Sequence, residues 1–348
     1  MSSEFRELLK KIGSGAHTHK NLTFDEASLA LEMMFKEVAT PAQIGAFLIA
    51  HRIKRPTAEE LGGMLNRYNK SGAVLSPIQN NKPLTILGIP YDGRTRTAPI
   101  SPLTALMLSA MNVPVLMHGG DSMPTKYGLT LVEIWQSLDV DLTQLSVSEV
   151  DNLLATTNFG FLYLPQHYPL AYSLVTYREQ IGKRPPLATL ELIWHPYEAD
   201  SHIMAGYVHP PTENMIRGAL QRNEKKKFTL IKGMEGSGDL KRSQTNIISI
   251  DKADSEEGFA YLKVNPATYD LAGNDPVLED QATYFNQLKE TIAGKPTQLT
   301  ESAILNGAFY LWRCDVTETI EDGLTIAENL ISTGKLQQQL EAIKSVVV

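Results

Sequence analysis

The first 70 residues carry apolar side chains at helical spacing and contain no run typical of a strand. Thr23 and Glu26, three positions apart, have the spacing of a capping box that starts a helix. Thr40 followed by Pro41 is typical of a second helix start. We therefore predict a small helical domain over residues 1–70. The apolar stripe of its first amphipathic segment consists of Leu22, Ala27, Leu29, Leu31, Met34 and Phe35.

The hydrophobic pattern changes after residues 71–83, which are rich in turn formers and indicate a linker. Beyond this linker, short apolar runs alternate with helical patterns such as residues 101–111 and 129–138. Strands that alternate with helices imply a mainly parallel sheet covered on both faces. We therefore predict that residues 84–348 form a larger α/β domain with a mainly parallel central sheet. The candidate strands are residues 84–88, 113–117, 159–164, 202–208, 228–233 and 246–250.

The composition narrows the class of protein. The 348 residues have a hydrophobic fraction of 43%, which suits a globular protein with a sizeable core. The net charge of −7 disfavours a dedicated nucleic-acid binder, although a local basic patch is compatible with it. Cys314 is the only cysteine, which excludes a disulfide framework and a cysteine metal cluster. Because no signal core and no long apolar run is present, we expect a cytoplasmic protein without membrane contact.

Residues 86–101, ILGIPYDGRTRTAPIS, run from an apolar segment through a glycine-containing turn into a helix-like stretch. Many α/β proteins hold a phosphate at such a turn through backbone N–H groups. Pro90 has no N–H to offer, and Tyr91 fills space that a glycine would leave open. Arg94 and Arg96 either bind an anion through their planar side chains or are solvated arginines on an ordinary turn.

Several landmarks occur in the order found in a known family. They are the helical string from LTFDEASLALEM to AEELGGML, LG…DG at 87–93, HGG at 118–120, the segment 158–196 and IKGMEG at 231–236. Together they resemble anthranilate phosphoribosyltransferases of glycosyltransferase family 3. The resemblance implies a helical domain that forms a homodimer, and residues 165–190 are expected to pack back onto it. It also implies transfer of phosphoribose from a pyrophosphate donor, with Mg²⁺, to the aromatic acceptor anthranilate in tryptophan synthesis.

The resemblance further implies which residues form the site. His118 and Arg178 would meet the acceptor, although each could instead be a structural histidine or an exposed helix arginine. Ser101 and Glu235 would hold Mg²⁺, although Ser101 could equally cap the helix that follows it. The residues expected to bind the donor and its phosphates are Gly88, Asp92, Gly93, Arg94, Arg96, Ser101, His118, Gly119 and Ser122.

The sequence departs from the family pattern at chemically important positions. Pro90 and Tyr91 stand where the family has two glycines, Met117 replaces a lysine, and Gly120 replaces an asparagine. Glu235 is one carboxylate where the family has an adjacent Asp-Glu pair. These exchanges remove groups that neutralise phosphate or bind metal, so we predict that the activity toward anthranilate is impaired.

Residues 217–242 hold eight basic residues against three acidic ones, a net charge of +5. Such a field gathers phosphates even on an acidic protein, although a solvated charged loop has the same composition. The strings YDGRTR and MEG resemble a branch of the family that looks like nucleic-acid-binding proteins. Three functions stay open: the family's transferase, a transferase with another donor or acceptor, and a non-catalytic homologue that binds nucleic acid or nucleotides. The residues of this last alternative are Arg94, Arg96, Arg222, Lys225, Lys226, Lys227, Lys241 and Arg242.

Overall fold

The computed structural model describes residues 3–15, 17–225 and 227–347. The N-terminal part is a bundle of helices, as predicted. Three of these helices begin with a complete capping box, which satisfies backbone N–H groups that a helix start leaves unpaired. The helices are α1 (Ser3–Gly13), α2 (Phe24–Phe35), α3 (Pro41–Lys54) and α4 (Ala58–Ser71).

A buried carboxylate, Glu60, joins three segments of this bundle. Its oxygens accept hydrogen bonds from the backbone N–H of Leu22 at 2.9 Å, from the Thr57 N–H at 2.7 Å and from the Lys54 ammonium at 2.6 Å. Burial raises the pKa of Glu60, but hydrogen bonds from His51, Lys54 and the backbone outweigh this effect and lower the pKa to about 2. The negative charge of Glu60 therefore stabilises the folded bundle at neutral pH.

We expect Glu60→Gln to lower the free energy of unfolding by about 3 kcal/mol at pH 7, because Lys54 then lies buried without its counter-charge. The folded pKa is depressed, so this contribution is complete above the unfolded pKa of about 4.3 and is lost as the pH falls toward 2. Urea unfolding at pH 7, 5, 4 and 3 measures the difference, with exposed Glu4→Gln as the control. Equal stabilities of wild type and Glu60→Gln at pH 7 would contradict this account.

The α/β domain is built on a seven-stranded sheet with the order β3-β2-β1-β4-β5-β6-β7. The first five strands in this order are parallel, whereas β6 and β7 run antiparallel to their neighbours. The prediction of a mainly parallel sheet is confirmed. The strands are β1 (Leu84–Gly88), β2 (Val115–Gly119), β3 (Phe159–Tyr163), β4 (Ser201–Gly206), β5 (Phe228–Ile231), β6 (Asn246–Asp251) and β7 (Phe259–Val264).

Helices cover the sheet and connect the parallel strands. The helix α5 packs against α14 and α16, while α11 packs against β1, β4 and the bundle helix α4. The helices of this domain are α5 (Ser101–Ala110), α6 (Leu131–Ser137), α7 (Val147–Thr157), α8 (Leu164–His167), α9 (Pro169–Ser173), α10 (Val175–Ile181), α11 (Leu187–Ile193), α12 (Pro210–Arg222), α13 (Gln281–Ile292), α14 (Thr300–Arg313), α15 (Ile320–Ser332) and α16 (Lys335–Val347). No helix in the described ranges has the length and apolar character needed to cross a membrane.

Several strand bounds differ from the predictions, and one strand was not predicted. The strand predicted at 113–117 begins two residues later, because Pro114 has no N–H and contributes only its carbonyl, which accepts from Thr85. Strand β7 was not predicted, because it lies at the sheet edge and mixes half-exposed apolar residues with polar ones. Such a strand has no continuous buried pattern that would indicate it.

Aromatic packing joins the two parts of the chain. The Tyr168 hydroxyl donates to the carbonyl of Tyr68 in α4 at 2.5 Å, and the ring of Tyr168 lies 5.8 Å from that of Phe35. Trp194, just after α11, packs against the same two tyrosine rings. A polar bond adds to this contact, since Arg52 in α3 donates to the carbonyl of Arg184. Residues of the 165–190 segment therefore contact the bundle directly.

Candidate functional site

The candidate site lies at the carboxyl ends of the parallel strands. In the sheet, β2 and β3 lie on one side of β1, whereas β4 and β5 lie on its other side. Ligands of open α/β sheets bind at such a reversal point, beyond the carboxyl ends of the strands. The loops that follow β1, β2 and β5 meet here and carry most of the predicted site residues.

The turn after β1 is fixed by close backbone contacts. Gly93 has φ +77, and a Cβ there would lie 2.4 Å from backbone atoms of Gly128, so only glycine fits. Arg94 and Leu129 exchange backbone hydrogen bonds at 3.0 and 2.8 Å. Gly88, the last residue of β1, approaches α11 so closely that a Cβ would lie 1.8 Å from the Leu192 carbonyl. These glycines serve chain packing in this structure, and the loops after β1 and β2 form one unit.

Tyr91 and His118 fill the space next to this turn. The Tyr91 hydroxyl lies 2.6 Å from Nδ1 of His118, and both residues are almost fully buried. Trp194 covers the imidazole, with ring centroids 5.3 Å apart. Burial lowers the pKa of His118 to about 4, so the imidazole is neutral at pH 7. Of the other predicted residues of this loop, Gly119 ends β2 and is buried, whereas Ser122 is exposed.

Arg178, the predicted acceptor residue, is buried among carboxylates of the chain itself. Its Nη1 donates to Glu191 at 3.1 Å, and its Nη2 lies 3.4 Å from Asp92. Arg184 approaches the other oxygen of Asp92 at 3.6 Å. Burial raises the pKa of Glu191 despite the two nearby guanidinium groups. The alternative of an exposed helix arginine is wrong, since Arg178 is only 2% exposed. Glu191 occupies its Nη1, whereas its Nε and Nη2 have no hydrogen-bond partner among the described residues.

Arg94, predicted to meet phosphate or nucleic acid, points into the protein. Its Nη1 donates to Asp239 and to the hydroxyl of Ser237, both at 2.7 Å, and its Nη2 donates to Thr97. The side chain is only 2% exposed, because an internal carboxylate neutralises it. Arg94 is therefore corrected to a structural residue, whereas Arg96 lies exposed on the same loop.

Glu235 is the most heavily hydrogen-bonded carboxylate of the site. Its Oε1 accepts from the N–H groups of Arg96 at 3.0 Å and Thr97 at 3.1 Å, and from the Thr97 hydroxyl at 3.0 Å. Its Oε2 accepts from the N–H of Thr95 at 3.3 Å, from the Thr95 hydroxyl at 3.2 Å and from the Lys126 ammonium at 3.3 Å. Burial raises the pKa of Glu235, but these donors and the charges of Lys126 and Arg94 lower it to about 2.

The backbone around Glu235 is shaped to deliver this side chain. Glu235 has φ 51, a left-handed conformation that strains a residue other than glycine by about 1 kcal/mol. A Cβ on Gly206, at the end of β4, would lie 2.0 Å from the carbonyl oxygen of Ser237. A Cβ on Gly233 would lie 1.8 Å from the same oxygen. The turn after β5 can therefore fold over β4 only because both positions lack a side chain.

The predicted Mg²⁺ ligands do not fit a metal ion. A divalent cation needs oxygen lone pairs, but both oxygens of Glu235 face N–H and O–H donors and an ammonium group. Ser101 is the buried first residue of α5, and Ile100 occupies the N-cap, so the capping alternative for Ser101 is also wrong. Within residues 3–15, 17–225 and 227–347, no three His, Cys, Asp or Glu side chains form a group able to hold a metal.

The basic segment 217–242 does not form one open surface. Lys227 pairs with Asp315 at 2.9 Å, and Arg242 pairs with Glu301. Burial lowers the pKa of Lys225 and of Lys241. Of the two alternatives for this segment, a phosphate-gathering field and a charged loop, these contacts favour the loop.

Two residues of that segment need separate mention. Arg222 is exposed, and its guanidinium donates to the Gly218 carbonyl within α12. Lys226 lies outside the described residues. Arg217, which contributed to the predicted net charge, pairs with Glu213 and stacks on the Phe259 ring at 3.4 Å. Much of the positive charge of residues 217–242 is therefore paired with nearby carboxylates or stacked on an aromatic ring.

Several important residues of the site were missed by sequence reasoning. Lys126, Arg184 and Glu191 all join its charge network, yet each stands alone in an ordinary stretch of sequence. A signal existed only for Asp239, an acidic residue close to the MEG string. The partner of a buried arginine depends on the fold, so spacing along the chain could not identify the others.

Two family models match the chain. The helical bundle domain of the glycosyl transferase family matches residues 6–72, and the a/b domain of that family matches residues 92–337. The chain belongs to this glycosyl transferase family. The family resemblance and the fold class expected from the sequence are thereby confirmed, and the protein is similar to anthranilate phosphoribosyltransferases.

Individual relatives of this glycosyl transferase family match over nearly full length. The chain is 27% identical over 340 residues to the anthranilate phosphoribosyltransferase of Acetivibrio thermocellus, covering 96% of this chain and 95% of the relative. It is 26% identical to that of Symbiobacterium thermophilum, with coverage of 97% and 96%.

Solved structures show the same architecture. The anthranilate phosphoribosyltransferase of Saccharomyces cerevisiae in complex with PRPP and Mg has a TM-score of 0.84 at 16% identity, covering 100% of this chain and 98% of that one. The enzyme from Thermus thermophilus has a TM-score of 0.80 at 18% identity, with 99% of both chains covered. At these identities the likeness establishes the fold.

We expect Asp239→Asn to lower the free energy of unfolding by about 2 kcal/mol, because the buried Arg94 guanidinium loses its charged partner but keeps a hydrogen-bond acceptor. Chemical denaturation at pH 7 measures this loss. Asp139→Asn is the matched control, since Asp139 pairs with Lys344 at the surface and its substitution should change stability by less than about 0.5 kcal/mol. Similar effects of the two substitutions would contradict the assignment of Arg94 to the interior.

Proposed function

We propose that this member of the glycosyl transferase family keeps the scaffold of anthranilate phosphoribosyltransferases without their metal-dependent transfer reaction at an ordinary enzyme rate, and that it binds nucleic acid or nucleotides. The observation that supports loss of the transfer reaction is the hydrogen bonding of Glu235. The carboxylate at the metal position is held by six donors from the loop after β1 and from Lys126.

The donor side of the cleft supports this proposal. The Saccharomyces cerevisiae relative is known in complex with PRPP and Mg. Here, Pro90 offers no N–H and the N–H groups of residues 95–97 already bind Glu235. The residue after Glu235 is Gly236, and the next carboxylate, Asp239, neutralises Arg94. A pyrophosphate with its metal would therefore find few free ligands.

The acceptor side supports the same conclusion. The yeast relative is also known in complex with 4-fluoroanthranilate. In this chain Arg178 is ion-paired with Glu191, and the Tyr91 hydroxyl lies against Nδ1 of His118, a residue expected to meet the acceptor. An acceptor carboxylate at Arg178 would lie beside the carboxylates of Glu191 and Asp92, and repulsion between like charges opposes such binding.

Four residues at the mouth of the cleft support nucleic-acid binding. We call Arg96, Lys126, Tyr127 and Arg184 the cationic rim. Arg96 is exposed, the side chains of Lys126 and Arg184 are 25% and 31% exposed, and Tyr127 is 56% exposed. Cations next to an accessible aromatic ring suit phosphates and stacked bases. The left-handed backbone of Tyr127, at φ 49, is a strained conformation of the kind found at binding sites.

The cationic rim predicts salt-sensitive binding of single-stranded oligonucleotides. We expect micromolar affinity at low salt that weakens several-fold or more between 50 and 200 mM NaCl, because bound phosphates release counterions. Fluorescence anisotropy with labelled single- and double-stranded oligonucleotides measures both quantities. The double variant Arg96→Ala/Lys126→Ala should weaken binding at least about tenfold and reduce the salt dependence.

Two control variants separate this surface from others. Arg6→Ala removes an exposed arginine on α1 and should leave binding unchanged. Arg222→Ala tests the basic segment, and a loss confined to that variant would move the binding surface away from the cleft. Absence of any binding at low salt would refute nucleic-acid binding by this chain.

A second candidate is residual phosphoribosyl transfer to anthranilate, favoured by the whole-length similarity to named transferases and by the retained Asp92, Gly93, His118 and Gly119. We expect turnover far below about 1 s⁻¹, because positioning and charge neutralisation of the donor are impaired. Loss of anthranilate fluorescence with PRPP and Mg²⁺, against a reaction without the protein, measures the rate. Turnover above about 1 s⁻¹ would overturn the proposal of a lost reaction.

The homodimer remains part of this proposal. The face of α1 and α3 has a groove where Leu9, Ala46 and Ala50 are flanked by Arg6 and Lys10, and Ile53 in α3 is 72% exposed. An apolar face of this kind supports association of two helical domains.

A further inference from the structure

The loop after β1 offers more hydrogen-bond donors than an ordinary turn. Three consecutive backbone N–H groups, of residues 95–97, converge on Glu235. The hydroxyls of Thr95 and Thr97 and the ammonium of Lys126 complete the set, which we call the 95–97 donor cluster. Consecutive N–H groups that converge on one point form an anion-binding concavity.

The charges around this cluster also suit an anion. The Nε of Arg94 lies 3.6 Å from Oε1 of Glu235, and the Lys126 ammonium lies 3.3 Å from Oε2. Asp239 partly neutralises Arg94, so the positive charge at the cluster comes mainly from Lys126 and to a lesser extent from Arg94. Without the Glu235 carboxylate, six donors and this positive charge would be left without an acceptor.

The Glu235 side chain reaches the cluster as a tethered group from another strand. It belongs to the turn after β5, whereas the cluster follows β1, and β4 lies between these two strands. The strained φ of 51 at Glu235 and the close approaches at Gly206 and Gly233 hold the turn over the cluster. Thr95 and Arg96 are exposed, so the cluster lies just beneath the surface.

We propose that the 95–97 donor cluster is a binding site for a phosphate-type oxyanion, and that the Glu235 carboxylate occupies it as an internal substitute that keeps such an anion out. A phosphate group carries negative charge and several acceptor oxygens, which match the six donors. The site takes either free phosphate or the terminal phosphate of a larger molecule. This inference concerns the loop itself and does not depend on nucleic-acid binding by the cationic rim.

Glu235→Gly tests the proposal, because glycine adopts a φ of 51 without strain and removes the competing carboxylate. We expect inorganic phosphate to raise the melting temperature of this variant by about 3 °C or more at saturating concentration, relative to NaCl of equal ionic strength. The wild type should show no such rise. A second arm with adenosine monophosphate, measured as the rise of the variant beyond that of the wild type, distinguishes a site for terminal phosphates from a site restricted to free phosphate.

Two further variants isolate the effect of the carboxylate. Glu224→Gly makes the same exchange at an exposed residue with φ 58 and should show no response to phosphate. Glu235→Gln removes the charge but still fills the cluster, so it should also show no response. If Glu235→Gly folds poorly in NaCl, phosphate should restore its cooperative unfolding transition.

The results that overturn the proposal are specific. They are a Glu235→Gly protein that responds to neither phosphate nor adenosine monophosphate, a failure of phosphate to rescue its folding, or an equal response in Glu224→Gly. A response of Glu235→Gln equal to that of Glu235→Gly would also refute occupancy by the side chain. Oligonucleotide binding by the wild type is measured separately, so either result can fail without the other.

Discussion

The contact between Glu235 and the backbone of residues 95–97 organises the carboxyl edge of this sheet. It joins the loop after β1 to the turn after β5 across the end of the intervening strand β4. The contact is possible only because Gly206 and Gly233 leave room for the chain at Ser237. Since it satisfies three backbone N–H groups in a partly buried loop, it fixes the conformation of that loop.

Two buried arginines of the site are also paired with side chains from distant parts of the chain. Arg94 is neutralised by Asp239, and Arg178 by Glu191 and Asp92. A buried charge is tolerated only with a partner, and removal of one partner leaves the other at a large energetic disadvantage. Both buried arginines are therefore committed to carboxylates of the chain. At the cationic rim, Lys126 and Arg184 are partly exposed although each lies near a carboxylate, and Arg96 is exposed.

The comparison with the family shows how far a sequence can change while the fold is kept. The backbone matches that of the yeast enzyme with a TM-score of 0.84, although only 16% of the residues are identical. Apolar residues of similar size can replace one another in a core with little loss of stability. A pyrophosphate and metal site depends on a few charged groups in fixed positions, so we expect the residues at 90, 117 and 235–236 to affect such a site much more than the fold.

Local signals in the chain were sufficient to predict the two-part architecture and most of the elements. The capping box at Thr23, the helix start at Thr40 and Pro41 and the periods of the apolar residues involve near neighbours, so they predicted the helical bundle and six of the strands closely. The edge strand β7 was not predicted, because its half-exposed residues have no strong period.

Only the folded structure shows which charged side chains contact each other. Arg94 and Asp239 are 145 residues apart in the chain, and Glu235 is 138 residues or more from the amides that it binds. Whether an arginine is free for a ligand or paired inside the protein depends on such distant contacts, because electrostatic partners are set by position in space rather than in sequence.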